Sequence, residues 1–580
     1  MADTFGARPM VYVDGTRLPR ELESHLRRVE VTSDVHAPDA CRVVLDDPGR
    51  TALADAGFEF HAKLEVKAGR TGENTEQALF TGKIYHLGFE YDSGEAVTVV
   101  GAFDGSYALC NGLKTATYCN ITDADLARQL AQAAGLTAGE IESTSVVHEH
   151  LSQVNETDWS LLLRRAREID FDCRVVGDRL DFKKSAPADD APEPGDYQST
   201  DRLQLTPGGN LEQLTVRVTA AQQVTEVEVR GWDPKRKEGL LATAPARSRE
   251  SSAKDRPDAL ANGGGGSPRY VTATLPLNTQ AECDAAAASE AERVASTSIH
   301  AEGVARGDPR VLSGVPVSIG QTGGRFDGKF TITTVRHVFG RSGYRMLFTA
   351  SGRQDRSVLG LLNGAVPTAP TAPAGVVIGV VTNVTDPDKL GRVKLKFPWL
   401  SDDYESFWAR VVYLGAGNDR GLLLPPEVND EVVCIFEQGD VRRPIVVGGL
   451  YNGVDKAPKD GGVDGSSGKV VTRVLRSRKG NELVLIDTDG GEKIELRTPE
   501  GKTEVVLDHK EGKITIHANK DVTVDAGGDV KVEAKGNASV KASGNVQLEA
   551  NGSGTFKANS GLTLESSGTV TVKGAAIRLN

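Results

Sequence analysis

The sequence predicts a mainly β protein that ends in a β-helix wound from three chains. Three observations carry that reading. The stretch "DVTVDAGGDVKVEAKGNASVKASGNVQLEA", residues 521–550, repeats itself every eight residues. The 64 glycines point to many turns, while aromatic residues at 5% suit packing by valine, isoleucine and leucine. Two linkers divide the chain, a Pro/Ala/Thr connector at 363–375 and a Gly-rich one at 452–468.

The region 1–362 is mixed. "VYVDGTRLP", "RRVEVTSDV" and "CRVVLDDP" alternate as opening strands. "TDADLARQLAQAAGL" predicts an amphipathic helix capped by Thr122 or Asp123 and stopped by Gly135. A second helix is expected from a cap at Thr157, followed by a hairpin around Gly177-Asp178. A third is expected to run through "AECDAAAASEAERVASTSIHAEG" and end at Gly303. Residues 248–270 read as a flexible loop. After the first linker, residues 376–451 hold about five short alternating strands, the number and length of a small barrel of the OB type.

The last region, 469–580, opens with longer steps: Leu483/Leu485, Ile494/Leu496 and Val505/Leu507 alternate between Gly-rich turns, as the base of a rod. Octads follow from Ile514. A side-chain period of two places their first and third positions on one face. These are the expected needle core: Ile514, Ile516, Val522, Val524, Val530, Val532, Val540, Val546, Leu548, Phe556, Leu562, Leu564, Val570 and Val572. A small fifth residue narrows the corner, and the frequent glycine at the seventh is expected to supply a turn of positive φ. Eight residues suffice for one side of a prism in which three chains fill each other's open ladder positions, which also covers the strand edges. A single-chain solenoid, such as an adhesin stalk, is the alternative for the repeat alone.

Composition and motifs bound the function. At 580 residues the chain should hold several domains. A net charge of -12 argues against nucleic acid as a partner. No signal peptide or membrane-spanning stretch is evident. The scattered cysteines Cys41, Cys110, Cys119, Cys173, Cys283 and Cys434 form no CxxC pair and read as free thiols of a chain made in the cytoplasm. His148 and His150 are assigned to a solvated loop, and His517 to an outward octad position, so no metal is expected. "GGGGS" lacks the Lys-Ser or Lys-Thr of a P-loop, "DPKRKE" and "DPDKLG" are turns, and the second linker is too short for a glycosidase. No catalytic residue, cofactor or metal is predicted, and the chain is read as a non-enzyme.

Several segments occur together in one order: "QVNETDWSLLLRRAREIDF", "VEVRGWDPKRKE", "GVPVSIG" with "FDGKFTITTVRHVF", the "GVVTNVTDPDKLGRVKLKFPW" barrel and the valine-glycine octads. In this the chain resembles the VgrG-type spike proteins of contractile injection systems, the fused hub and needle of contractile phage tails. The opening "MVYVDGTRLPRELESHLRRVEVTSDVHAPDACRVVLDD" and the compact length look closer to extracellular, phage-tail-like particles than to type VI secretion. The resemblance implies a tube-docking hub of two β-barrel modules with helices at 1–362, the OB-fold barrel at 376–451 and the β-helical needle at 469–580. It implies a homotrimeric baseplate spike that docks the inner tube, contacts baseplate proteins, carries effectors and touches the target membrane only transiently. A PAAR-repeat protein would cap the tip at Ile577, Leu579 and Asn580. Assembly would be cytoplasmic, within a phage-tail-like particle that either is released or stays in the cytoplasm. Alternatives are a type VI spike, a tail component with an envelope-degrading role, and the single-chain adhesin.

Overall fold

The computed structural model describes residues 5–70, 76–197, 199, 201–262, 266–353, 375–401, 403–458 and 462–579. Nearly all of the linker 363–375, and the expected tip residue Asn580, lie outside the described residues. The chain is mainly β and divides into two compact units, Met1–Lys456 and Ala457–Asn580.

The first unit is built on an eleven-stranded sheet whose order mixes strands from distant parts of the chain. Leu26–Asp34 alternates buried Val29, Val31 and Ser33 with outward residues, as a strand with one wet face should. It pairs on one side with Ala40–Asp46 and on the other with Thr334–Gly340, where His337 faces Val31. The sheet curls like half a barrel. Val11 and Val66, from strands near one edge, share a core with Phe339 and Tyr344 from its middle.

Two helices form a lobe with shorter sheets. Asp123–Ala133 is capped by Thr122, whose hydroxyl accepts from the Asp125 N–H, and Gly135 closes it at φ +75°. Asp158–Glu168 is capped in the same way by Thr157. The hairpin of Phe171–Val176 and Arg179–Lys184 follows as expected. A further helix, Gln280–Ala295, starts with a capping box between Thr279 and Glu282 and lies on the sheet of Glu226–Asp233 and Glu238–Pro245.

Two expectations fail here. The third helix does not reach Gly303: Ser296–Ser298 forms a tight turn, and Ile299–Arg306 is a strand of the large sheet, next to its edge strand Leu211–Val218. A Cβ at Gly303 would lie 2.5 Å from the Gln213 carbonyl, so glycine there serves close strand packing instead of a helix stop. The expected loop at 248–270 is largely structured. Ser251–Ala253 pairs with Gly328–Thr331, and Pro257–Ala261 is a helical turn; Gly263–Gly265 lie outside the described residues.

Within the same unit, residues 377–449 form a five-stranded sheet in the order Lys394–Lys396, Val377–Asn383, Glu431–Phe436, Pro444–Gly449, Arg410–Val411. It wraps a core of Val381, Leu395, Phe397, Tyr404, Val432 and Cys434. Isolated bridges Val393↔Ala409 and Lys396↔Glu405 link the chain at its two outer strands.

The second unit starts with a six-stranded antiparallel meander, Gly462–Val463 through Lys513–Ala518. Beyond Ala518 the described residues form no strand or helix.

Candidate assembly interface

The meander presents one apolar face. Register places Leu485 opposite Ile494, Ile494 opposite Leu507, and Leu507 opposite Ile514. A parallel row runs through Leu483, Leu496, Val505 and Ile516. Cross-strand neighbours of this kind normally form half of a core. Here the other half is missing: Leu496 is 49% exposed and Ile514 68%. A groove of about 420 Å³ runs along Leu485, Ile494, Leu507 and Ile514. The opposite face is charged. Glu482 is held by Arg476 at 2.8 Å and Arg497 at 2.6 Å, and Lys493 meets Asp508 at 3.1 Å. The Glu511 N–H and Lys493 keep the Asp508 carboxyl below its ordinary range.

The octads continue this pattern without any sheet. Two-residue bends fall at 519–520, 527–528, 535–536, 543–544, 551–552, 559–560 and 567–568, a spacing of eight that matches the sequence repeat. Among the described residues, no backbone-to-backbone hydrogen bond involves a residue beyond Asn519. The expected core residues, Ile514 to Val572, are all 53% to 85% exposed, and Ile577 and Leu579 are 55% and 91% exposed. Val484 is the sole buried apolar side chain among the described residues of the second unit. The structure therefore gathers the predicted residues along one repeating segment, pairs Ile514 and Ile516 with the strand Thr503–Asp508, and gives those from Val522 onward no strand partner in their own chain. The glycine expectation is corrected: no described glycine beyond Gly512 has positive φ, and a Cβ added at Gly536 or Gly544 would meet nothing within 4 Å. The bends are made without the left-handed region, so the glycine is not there for its conformation.

The first unit holds the buried groups that titrate abnormally, and they are engaged in structure. His148 and His150 are not in a solvated loop; both lie on the strand Val147–Glu156. His148 Nε2 is 3.0 Å from Asp123, whose other oxygen accepts from Arg165 Nε at 2.7 Å. Burial works to raise the Asp123 carboxyl, and Arg165 and His148 overcome it, holding it well below the usual range. His150 Nε2 lies 2.9 Å from the Glu405 carbonyl, and burial lowers its pKa. Arg353 is set among Asp170, Asp172 and Glu250. Desolvation raises Glu250 to about 8. The six cysteines are free, with Cys119 exposed. No group of His, Cys, Asp and Glu among the described residues could hold a metal ion.

Sequence reasoning missed a cavity of about 770 Å³ in the first unit, lined by Arg167, Trp232, Phe407, Trp408, Arg410 and Arg443 among others. Its walls come from segments far apart in sequence, so no local pattern announces it.

Comparison with known proteins gives these residues a context. Residues 7–340, more than half of the chain, match the family described as the Alg8 N-terminal domain. Residues 377–451 match the type VI secretion system/phage-baseplate injector OB domain. The chain is 30% identical over 134 residues to the type VI secretion system spike protein VgrG3 of Vibrio cholerae, covering 22% of this chain and 13% of that protein. It is 28% identical over 151 residues to the spike protein VgrG1a of Pseudomonas aeruginosa, covering 24% and 23%. The alignments thus span less than a quarter of either relative, and over them the chain is homologous to VgrG-type spike proteins. A chain of the Francisella PdpA-VgrG complex superimposes with a TM-score of 0.51 at 9% identity, covering 88% of this chain and 79% of that one. That likeness is one of fold.

Proposed function

Because the chain belongs to the Alg8 N-terminal domain family and carries a match to the injector OB domain, we propose that it is a homotrimeric spike of a contractile injection system. Its hub would occupy 1–362 as two β-barrel modules, its OB barrel 376–451 and its needle 469–580, with linkers at 363–375 and 452–468. The bridges at Val393 and Lys396 support closure of the barrel. The role is mechanical: dock the inner tube and baseplate at the wide end, and puncture an envelope at the narrow one. No substrate turns over. The buried carboxylates support this, because Asp123, Asp170 and Glu250 are each engaged by an arginine.

One observation carries the assembly reading. The octads expose a continuous apolar repeat, and among the described residues those beyond Asn519 form no ladder with their own chain. A single-chain solenoid stacks successive turns of one chain and hydrogen-bonds them to each other. Three chains winding together separate successive turns of one chain by two others, so each chain alone shows bends and no ladder. The opening segment and the compact length of the sequence favour an extracellular, phage-tail-like particle over a type VI spike. Exposed Ile577 and Leu579, with Asn580, would receive a PAAR-repeat cap, and effectors would ride with the spike.

Light scattering of the full-length protein tests the proposal. The expected mass is three times 61.6 kDa, resistant to mild detergent. A monodisperse monomer would return the lead to the single-chain solenoid.

A further inference from the structure

The apolar octads have a weakness as an assembly code: each copy resembles the next. If one chain slides by an octad relative to its neighbours, apolar residues still meet apolar residues. A repeat of this kind specifies which face is buried and leaves the register open.

The fourth octad position differs from the others. From the third octad on it reads Glu533, Lys541, Glu549, Lys557, Glu565, Lys573, alternating in sign, after His517 and Asp525 in the first two. Each lies at the same phase between bends, and all are exposed. Among the described residues, Lys531–Glu533 at 3.1 Å is the one ion pair beyond residue 519 within the chain. The side chains from Lys541 onward therefore have no partner of opposite charge in their own chain, although each octad supplies one charge of a complementary pair.

We infer that this alternation fixes the register in which three copies of the chain wind together. The inference rests on the trimeric reading above. In a three-chain prism, the strand above a given octad on one side is the next octad of a neighbouring chain. The strands run parallel at about 4.8 Å, so like positions stack directly. Glu549 of one copy then lies between Lys541 and Lys557 of its neighbours, and every contact along the column from residue 533 to 573 joins opposite charges across a chain boundary. A slip of one octad puts Glu over Glu and Lys over Lys on all three sides. The apolar stripe tolerates that slip and the charges oppose it, the division of labour seen where polar positions set the register of coiled coils. Single exposed pairs contribute little to stability; their value here lies in the difference between registers, repeated along each column.

The test uses the full-length protein. The exchange Lys541→Glu with Glu549→Lys keeps net charge and composition but creates like-charge contacts at 533/541 and 549/557. It should lower the melting temperature of the assembled needle by about 5–10 °C in low salt, with much of the loss recovered at 0.5 M salt. Reversing every sign (Glu533→Lys, Lys541→Glu, Glu549→Lys, Lys557→Glu, Glu565→Lys, Lys573→Glu, with Lys531→Glu) should melt close to the unaltered protein. Register is read directly from Thr555→Cys with Thr563→Cys. Mild oxidation should join position 555 of one chain to 563 of another, and peptide mapping identifies the link. Joining of 555 to 555, or an exchanged variant as stable as the parent in low salt, overturns the register inference while the trimer stands. A monomeric parent protein overturns the trimer and the register together.

Discussion

Arg353 brings three carboxylates to one guanidinium: it pairs with Asp172, Asp170 at 3.1 Å and Glu250 at 2.8 Å, and its side chain is 13% exposed. Removing the cation strands buried acids, so Arg353→Met should destabilise the first unit by roughly 3–5 kcal/mol in chemical denaturation. The same cluster sets a pH response. Glu250 titrates at about 8 in the fold and at 4.5 when free, so the folded form holds a proton that the unfolded form has released. Its contribution is complete below 4.5 and is lost as pH rises toward 8. Asp104, raised to about 8 by burial, acts in the same direction. His337 acts in the opposite direction. Burial lowers it to about 4, between the Val311 carbonyl and the Tyr344 hydroxyl, so stability falls as pH drops from 6.5 toward 4. Between pH 4.5 and 6.5 the two raised acids outweigh the one histidine, so thermal melts of the first unit should be highest near pH 4.5 and fall as pH rises toward 8, most steeply above 6.5. Glu250→Gln should make the alkaline limb shallower; an unchanged limb would remove Glu250 from the account.

Among the elements, those with local causes were legible in the sequence and those with distant causes were not. Thr122 and Thr157 cap their helices because an N-cap needs a side-chain oxygen and the next three residues, all within one short window. The strand at Ser251–Ala253 could not be read that way, because its partner Gly328–Thr331 lies far along the chain and its own residues look like a linker. His148 was misplaced for the same reason: Asp123 and Arg165, which hold it, come from two other elements. The octads were read correctly in period, since eight-residue bends follow the eight-residue text, but the backbone at their glycines was not. With no positive φ at these bends and nothing within 4 Å of a Cβ at Gly536 or Gly544, the fold of the single chain does not account for glycine there. Gly536→Val with Gly544→Val should leave the melting of the first unit unchanged and lower that of the assembled needle by several degrees. If both transitions stay in place, nothing packs against those bends. Deleting residues 575–580 should likewise leave the mass intact while abolishing capture of a PAAR-repeat cap in a pull-down.

Taken whole, the molecule joins a unit that makes its own core to one that does not. The first unit buries several apolar clusters; the described part of the second buries Val484. A segment that draws its core from other copies is stabilised by mass action, so its apparent stability depends on protomer concentration. Two transitions are expected in calorimetry. Only the second should move to higher temperature as protein concentration rises. A single transition independent of concentration would mean that the second unit folds alone.

The absence of any ladder beyond Asn519 also bears on how the protein is made. Such a tail has no private native state to enter as it leaves the ribosome. On the trimeric reading proposed above it would stay soluble until two sisters arrive, with unpaired backbone that invites unrelated chains in the meantime. Its alternating lysines and glutamates, spaced evenly and free of long uncharged apolar runs, then serve a second purpose as gatekeepers during that wait. Yield in the cell should accordingly be governed by the encounter of nascent chains as much as by the folding of any one of them.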